Sequence, residues 1–326
     1  MSDQPLLDIR NLIKRFEIRR GFLSRIVGQV HAVEDVTFTI GPNEVLGLAG
    51  ESGSGKSTIG RMLLRLIEPS SGEIRFMGED IAALDRAGEL AFRRRAQIVF
   101  QDPFASLDPV MTVGDAITEP LRLQGMKAGS AELRDRVAQL LAQVSLPADF
   151  AQWWPDELSG GQRQRVVIAR ALSVNPRFIV ADEPVSALDV SIQAQIIRLL
   201  EQLQAQSGLS MLFISHDIAV MEYLSDRIAV LYLGRIMEIG PAQDVIATPR
   251  HPYTEALISA IPGGTAARRR ERVILTGEIP SAAAPPAGCV FHTRCQYARP
   301  DCAREVPKLR ETRPGHFKSC LRDDIL

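Results

Sequence analysis

Short apolar runs alternating with longer helical patterns predict an α/β fold, a parallel sheet covered by helices. Three observations carry this. VLGLAG (45–50), FIVAD (178–182) and MLFISH (211–216) are continuous apolar runs, the pattern of strands buried on both faces. Each ends in a polar or glycine-rich corner. Between 103 and 157 the pattern turns helical, and AELRDRVAQLLAQV carries apolar residues three and four apart. In open α/β sheets ligands sit beyond the carboxyl ends of strands, so three such ends bearing reactive residues mark a candidate site.

Taken in order, LLDIRNLI and VEDVTFTI alternate as half-buried strands, and the basic insertion between them, EIRRGFLSRIVGQVH (17–31), predicts a solvated loop. The stretch 103–157 predicts a helical insert in the α/β core. RIAVLYLGRIMEIG (227–240) predicts a hairpin turning near Gly234. After HPYTEALISAIP come TAARRRERV and SAAAPPAG, a charge run and a Pro/Ala linker, so the tail from about 262 is expected as a separate appendage. No repeat of 20 to 50 residues is visible.

A chain of 326 residues that is 45% hydrophobic can bury a substantial core. Its 38 Lys and Arg against 39 Asp and Glu give a formal charge of −1, which supplies no global field for nucleic acid or an anionic membrane. MSDQPLLDIRNLIKRF has no apolar segment before a small-residue cleavage site, and no run of about 18 apolar residues occurs. The expected compartment is therefore the cytosol, where thiols stay reduced.

GESGSGKST (50–58) follows a predicted strand and precedes the helical pattern IGRMLLRLI. Glycines there let successive backbone N–H groups turn inward around a phosphate, and the helix N-terminus adds its positive dipole. Lys56 would reach the β- and γ-phosphates and the Ser57 hydroxyl would ligate Mg2+. FIVADEP delivers two carboxylates where a buried strand leaves the sheet: Asp182 to hold the metal shell, Glu183 to polarise a water in line with the γ-phosphate.

LSGGQRQR (158–165), between the phosphate loop and the carboxylate strand, resembles the signature of the ABC transporter ATPases. Gln101 in IVFQDP resembles the family's Q-loop, SALD (186–189) its D-loop, and His216 in FISHD its switch histidine. The resemblance covers about 240 residues. It implies a P-loop NTPase fold: a RecA-like α/β core with an antiparallel β subdomain, a helical subdomain and a small C-terminal cysteine-containing tail domain. The boundaries expected on this basis are 1–102 for the β subdomain and first part of the core, 103–165 for the helical subdomain ending in the signature, 166–248 for the second part of the core, and 249–326 for the tail.

The resemblance also implies that two ATPase domains sandwich two nucleotides head to tail. ATP would then be held by Gly50, Ser52, Gly53, Ser54, Gly55, Lys56, Ser57, Thr58, Gln101 and Asp182, and in trans by Ser159, Gly160, Gly161, Gln162 and Asp189. Mg2+ would rest on Ser57, Gln101 and Asp182. Glu183, His216, Lys56 and Gln101 would carry the hydrolysis. Phe16 matches the position at which the family stacks an aromatic ring on adenine, with a core role as the alternative.

Within the family, GLAGESGSGKSTIGRMLLRL, QDPFASLDP and HPYTEALISAIP resemble the oligopeptide and dipeptide permease branch, which also includes nickel and glutathione importers. This implies an importer of two transmembrane permease subunits, two ATPase subunits and an extracytoplasmic substrate-binding protein. Heterodimers with a related ATPase chain are common in the branch. The chain would lie peripherally on the cytoplasmic face of the plasma membrane, docking through the region around PFASLDPVMTVGDAI, with no nucleic acid partner. An ABC ATPase acting on DNA or ribosomes would be expected to show a long coiled-coil insertion or tandem ATPase domains. A regulatory module without turnover would be expected to lack Glu183 or His216. Spacing supplies no role for His251, Pro252 and Tyr253, and the transported substrate is not legible.

The four cysteines, Cys289, Cys295, Cys302 and Cys320, all fall near the C-terminus in the spacing C-x5-C-x6-C-x17-C. That is too wide for the C-x2–4-C pairs of structural zinc sites, and a reducing cytosol disfavours two disulfides. Four thiolates are the ligand count of a four-iron four-sulfur cluster. Some permease ATPases that the sequence resembles carry one on this tail, so a cluster is the expectation. Zinc, with His292 or His316 replacing a cysteine, and free thiols are the alternatives.

Overall fold

The computed structural model describes residues 4–21, 24–123, 125–126, 131–261 and 273–325. Their contacts form two compact units. The first holds the described residues up to Gly41, then Val45–Ala82 and those from Ile214 on; the second holds Pro42–Glu44 and Ala83–Phe213.

The chain enters the first unit through β1 (Leu7–Arg20) and β2 (Arg25–Ile40), continues into β3 (Val45–Ala49) and α1 (Lys56–Leu63), and completes this pass with β4 (Ser71–Phe76) and β5 (Glu79–Asp80). In the second unit it forms α2 (Arg86–Arg95), β6 (Ala96–Val99), α3 (Pro103–Ser106), α4 (Val113–Leu123), α5 (Ala131–Gln143), α6 (Gly160–Leu172), β7 (Phe178–Asp182), α7 (Val190–Ser207) and β8 (Ser210–Ile214), whose last residue is counted with the first unit. It then returns to the first unit with α8 (Ile218–Leu224), β9 (Arg227–Tyr232), β10 (Arg235–Pro241), α9 (Ala242–Ala247), α10 (Pro252–Ser259), β11 (Arg310–Arg313) and β12 (His316–Lys318).

In the first unit, β2-β1-β4-β5 form an antiparallel sheet whose buried face includes Leu7, Ile9, Leu12, Val36 and Ile40. The basic insertion is not the expected loop. It is the outer part of the β1–β2 ladder, with Phe16 opposite Val30, Ile18 opposite Gly28 and Arg20 opposite Arg25. From Arg15 onward both faces of β1 are exposed, so backbone pairing holds the strand while no burial alternation marks it in the sequence. The described residues here end at Gly21 and resume at Ser24.

A second sheet portion in this unit runs β11-β12-β10-β9-β3, with β3 and β9 parallel and the other neighbours antiparallel. All five residues of β3 are buried, as its apolar run requires. The predicted hairpin turns at Leu233 and Gly234, both with positive φ (43° and 75°), the geometry that suits two-residue hairpins.

The tail is not set apart. Phe317 of β12 pairs with Ile239 of β10 and Lys318 with Glu238, and His316 Nε2 lies 2.7 Å from the Glu238 carboxylate with both side chains fully buried. A three-residue strand behind a Pro/Ala stretch has no readable periodicity, which is why the sequence suggests an appendage instead. The charge run at 265–272 lies outside the described residues.

In the second unit β8-β7-β6 are neighbours, with β6 and β7 parallel and β7 and β8 buried throughout. Helices α3 to α6 supply the helical part, packing Ile117, Leu140, Leu141 and Val166 out of solvent. Among the described residues no helix is long and apolar enough to cross a membrane.

Candidate functional site

In the first unit β3 runs straight into the loop 50–55, and α1 starts at Lys56. Gly55 caps the helix with φ 106°, and a Cβ there would lie 2.2 Å from the Ala32 carbonyl oxygen, so only glycine fits. The first turn of α1 holds no acidic residue, which leaves its positive end to an anion. Lys56 is buried, and its Nζ donates to the carbonyls of Gly50 (2.8 Å) and Glu51 (3.0 Å), folding the ammonium back over the loop. Ser57 and Thr58 follow, half-buried, in the first turn. The Ser215 N–H donates to the Leu48 carbonyl (3.4 Å), which brings the exposed His216 near the end of β3. Phe16 is 41% exposed on β1, with Lys14 Nζ 5.0 Å from its ring centre, so it is not a core residue.

In the second unit Asp182 ends β7 and is buried. Glu183 follows with φ 47°, a left-handed backbone that is uncommon for a non-glycine residue. Its carbonyl accepts from the Ser186 N–H (3.3 Å) and hydroxyl (3.1 Å), which fixes a turn here. Gln101 Nε2 donates to the Glu183 carboxylate at 3.0 Å, so these two predicted residues are brought together.

The signature LSGGQ opens α6. Ser159 caps the helix, accepting from the Gln162 N–H (3.4 Å), while Gln162 Oε1 accepts from the Ser159 N–H (2.8 Å). Ser159 is exposed. A Cβ on Gly161 would lie 2.6 Å from Ile192 Cγ2, so glycine lets α6 lie close against α7. Asp189 is exposed at the start of α7. Arg163 lies with its guanidinium 4.2 Å from the Phe104 ring centre, joining α6 to the segment that follows Gln101.

The four cysteines, in the first unit, line one small cavity of about 20 Å3 together with His251 and His292. All four are free thiols. Burial pushes the Cys289 thiol up to about 12 and that of Cys295 up to about 11, and raises Cys320 as well. Among the described residues no three His, Cys, Asp or Glu side chains are grouped so as to hold a metal ion. The four cysteines border one small space without being gathered as a set of metal ligands. His316 does not line this cavity; β12 carries it into the sheet, where it meets Glu238.

Three residues to which the sequence alone assigns no role act around the phosphate loop. Arg294, in the segment between the first two cysteines, makes a two-pronged ion pair with Glu51 (2.8 and 3.2 Å), and the Glu51 N–H donates to the Tyr253 hydroxyl at 3.0 Å. Pro252 starts α10, and the Tyr253 N–H donates to His251 Nδ1 at 3.1 Å as the helix cap. Burial drives the His251 pKa down to about 3, which keeps the ring neutral and able to accept. The Arg250 and His251 N–H groups donate to the Glu238 carboxylate at 2.8 and 2.9 Å. The one signal in the sequence is an acidic residue inside a phosphate-binding loop, which calls for a nearby cation.

A phosphate loop on α1, a carboxylate pair closing β7 and a glycine-rich helix start on α6 define a P-loop ATPase of the ABC type. The chain belongs to the ATP-binding subunits of ABC transporters: the family profile ABC transporter matches residues 33–186, and that of the oligopeptide/dipeptide transporter C-terminal region matches 237–302. A putative peptide import ATP-binding protein of Brucella ovis is 55% identical, with all of both chains covered. The oligopeptide transport ATP-binding protein AppF of Bacillus subtilis is 48% identical over 98% of each. Among solved structures, the dimeric ATP-binding cassette MJ0796 in a post-hydrolysis state bound to ADP and Pi is 31% identical, with a TM-score of 0.63, covering 72% of this chain and 98% of its own. CbiO1 of Clostridium perfringens, part of the transporter complex cbiONQ, is 28% identical with a TM-score of 0.64, covering 76% and 92%.

Proposed function

We propose that the chain energises an importer of di- or oligopeptides, or of a related small solute, by binding and hydrolysing ATP. The observation that carries this is one chain holding an intact phosphate loop, signature helix and carboxylate pair together with an oligopeptide-type C-terminal region. Lys56 and the loop amides take the phosphates. Ser57, Gln101 and Asp182 hold Mg2+, which screens charge on the β- and γ-phosphates when bound. Glu183 accepts a hydrogen bond from the attacking water, Gln101 orients Glu183, and His216 contacts the γ-phosphate. Phe16 stacks on adenine. Ser159, Gly160, Gly161, Gln162 and Asp189 act on the nucleotide held by a second ATPase subunit, a related chain; an exposed helix start suits that role.

Two transmembrane permease subunits dock on the second unit around Phe104 and Val110, apolar side chains that are 57% and 76% exposed. The chain thus works peripherally on the cytoplasmic face of the membrane, served indirectly by an extracytoplasmic substrate-binding protein. Fractionation tests this. Co-expressed with its permease subunits, the chain is expected to sediment with membranes; recovery in the soluble fraction whether or not they are present would contradict the reading.

The domain boundaries proposed for this activity are those of the ATPase plan, 1–102, 103–165, 166–248 and 249–326. On the last of these, Cys289, Cys295, Cys302 and Cys320 would hold a four-iron four-sulfur cluster, supplying structural or redox chemistry apart from hydrolysis. Support comes from the four cysteines all bordering one small cavity. Anaerobic purification is expected to yield about four irons and four sulfides per chain with broad absorption near 400 nm, lost on Cys302→Ser. One zinc per chain in a colourless protein would replace the cluster with a zinc clip.

A further inference from the structure

We infer that the C-terminal tail positions the phosphate loop for nucleotide, with Arg294 and Tyr253 as positioning residues acting through Glu51. The inference rests on the loop's taking ATP and is independent of what the thiols bind.

Glu51 is the second residue of the loop, and both of its polar ends are held by the tail. The carboxylate takes two Arg294 nitrogens, and the backbone N–H gives its hydrogen to Tyr253. The next links reach the phosphate-binding residues themselves. The Glu51 carbonyl accepts from Lys56 Nζ and from the Ser54 N–H (3.2 Å). A shift at Glu51 is therefore a shift of the groups that meet phosphate.

The clamp is itself rigid. The Arg294 side chain is 8% exposed, and a guanidinium so buried is costly without its partner, so the pair stays closed. Its Nη1 lies 3.5 Å from the Tyr232 hydroxyl, and Tyr232, Tyr253 and Phe291 form an aromatic cluster with ring centres 4.7 to 5.3 Å apart. Phe291 and His251 also line the thiol cavity, so that cavity and the loop's support share a wall. Pro252 and His251 fix where Tyr253 stands, and the HPY motif thereby aims a hydroxyl at the loop.

Charge adds a second consequence. Glu51 places a carboxylate in a loop that binds a polyanion, and Arg294 offsets it. Without Arg294 the loop is less ordered and the bare carboxylate repels the phosphates.

Titration of the full-length chain with the fluorescent analogue mant-ATP and Mg2+ tests this, with the thermal midpoint of each variant recorded alongside. Arg294→Met is expected to raise Kd about tenfold, an effect that shrinks in high salt. Adding Glu51→Gln to Arg294→Met removes the repulsion but restores no contact, so Kd should recover only in part, to about threefold above wild type. Tyr253→Phe deletes one oxygen and should raise Kd about threefold; it keeps the test alive if Arg294→Met does not fold. In the assembled transporter these variants are expected to raise KM for ATP with kcat retained. Unchanged Kd in both Arg294→Met and Tyr253→Phe, or a double variant restored fully to the wild-type Kd without the contact, would overturn the inference. Wild-type chain that binds no mant-ATP would instead overturn the nucleotide reading beneath it.

Discussion

Glu183→Gln is expected to keep ATP binding and cut turnover by about 100-fold or more, the usual scale for removing a positioned general base. The substitution is nearly isosteric. Asp182, which is proposed to serve the metal, is untouched, and the Ser186 bonds that hold the turn go to the Glu183 backbone rather than its side chain. The left-handed conformation at 183 is equally open to glutamine within that turn. What changes is the carboxylate that Gln101 contacts. Binding without turnover should accumulate an ATP-bound dimer, visible as a nucleotide-dependent doubling of mass by light scattering. Unchanged steady-state hydrolysis in the assembled complex would remove Glu183 from the role of base.

Ser159→Arg is expected to abolish hydrolysis while leaving the chain's own affinity for ATP largely intact. Ser159 lies at the exposed start of α6, and arginine there replaces a small cap with a bulky cation where the partner's nucleotide is proposed to sit. Loss of the cap costs only about 1 kcal/mol, which a 13-residue helix packed through Val166, Val167 and Ile168 tolerates. Lys56 and its loop lie elsewhere in the chain, in the first unit. Loss of ATP binding in the isolated variant would contradict action in trans.

The parts that can be read in the sequence are those in which chemistry and periodicity coincide. VLGLAG, FIVAD and MLFISH declare themselves because strands buried on both faces need continuous apolar runs, and they appear as β3, β7 and β8. GESGSGKST is legible because so few residue types can wrap a phosphate. The outer β1–β2 ladder is not legible, because paired strands exposed on both faces leave no pattern of burial. Nor is β12, where three residues add to a sheet edge. The Glu51–Arg294 pair spans 243 positions and follows no period; only the folded chain brings the tail to the loop. Likewise, HPY is visible as a motif, but its role depends on a hydroxyl meeting a backbone N–H 202 positions away.

Coupled uptake shows whether ATP hydrolysis by this chain drives import. The chain is reconstituted with permease subunits and with the proposed partner ATPase and binding protein in proteoliposomes, with ATP on the ATPase side and labelled di- and oligopeptides on the other. Peptide is expected to accumulate only with hydrolysable ATP, and its accumulation to fall with turnover, by about 100-fold or more, when Glu183→Gln is introduced. Uptake that proceeds equally without ATP, or ATP hydrolysis that continues while no peptide or related small solute moves, would contradict this expectation.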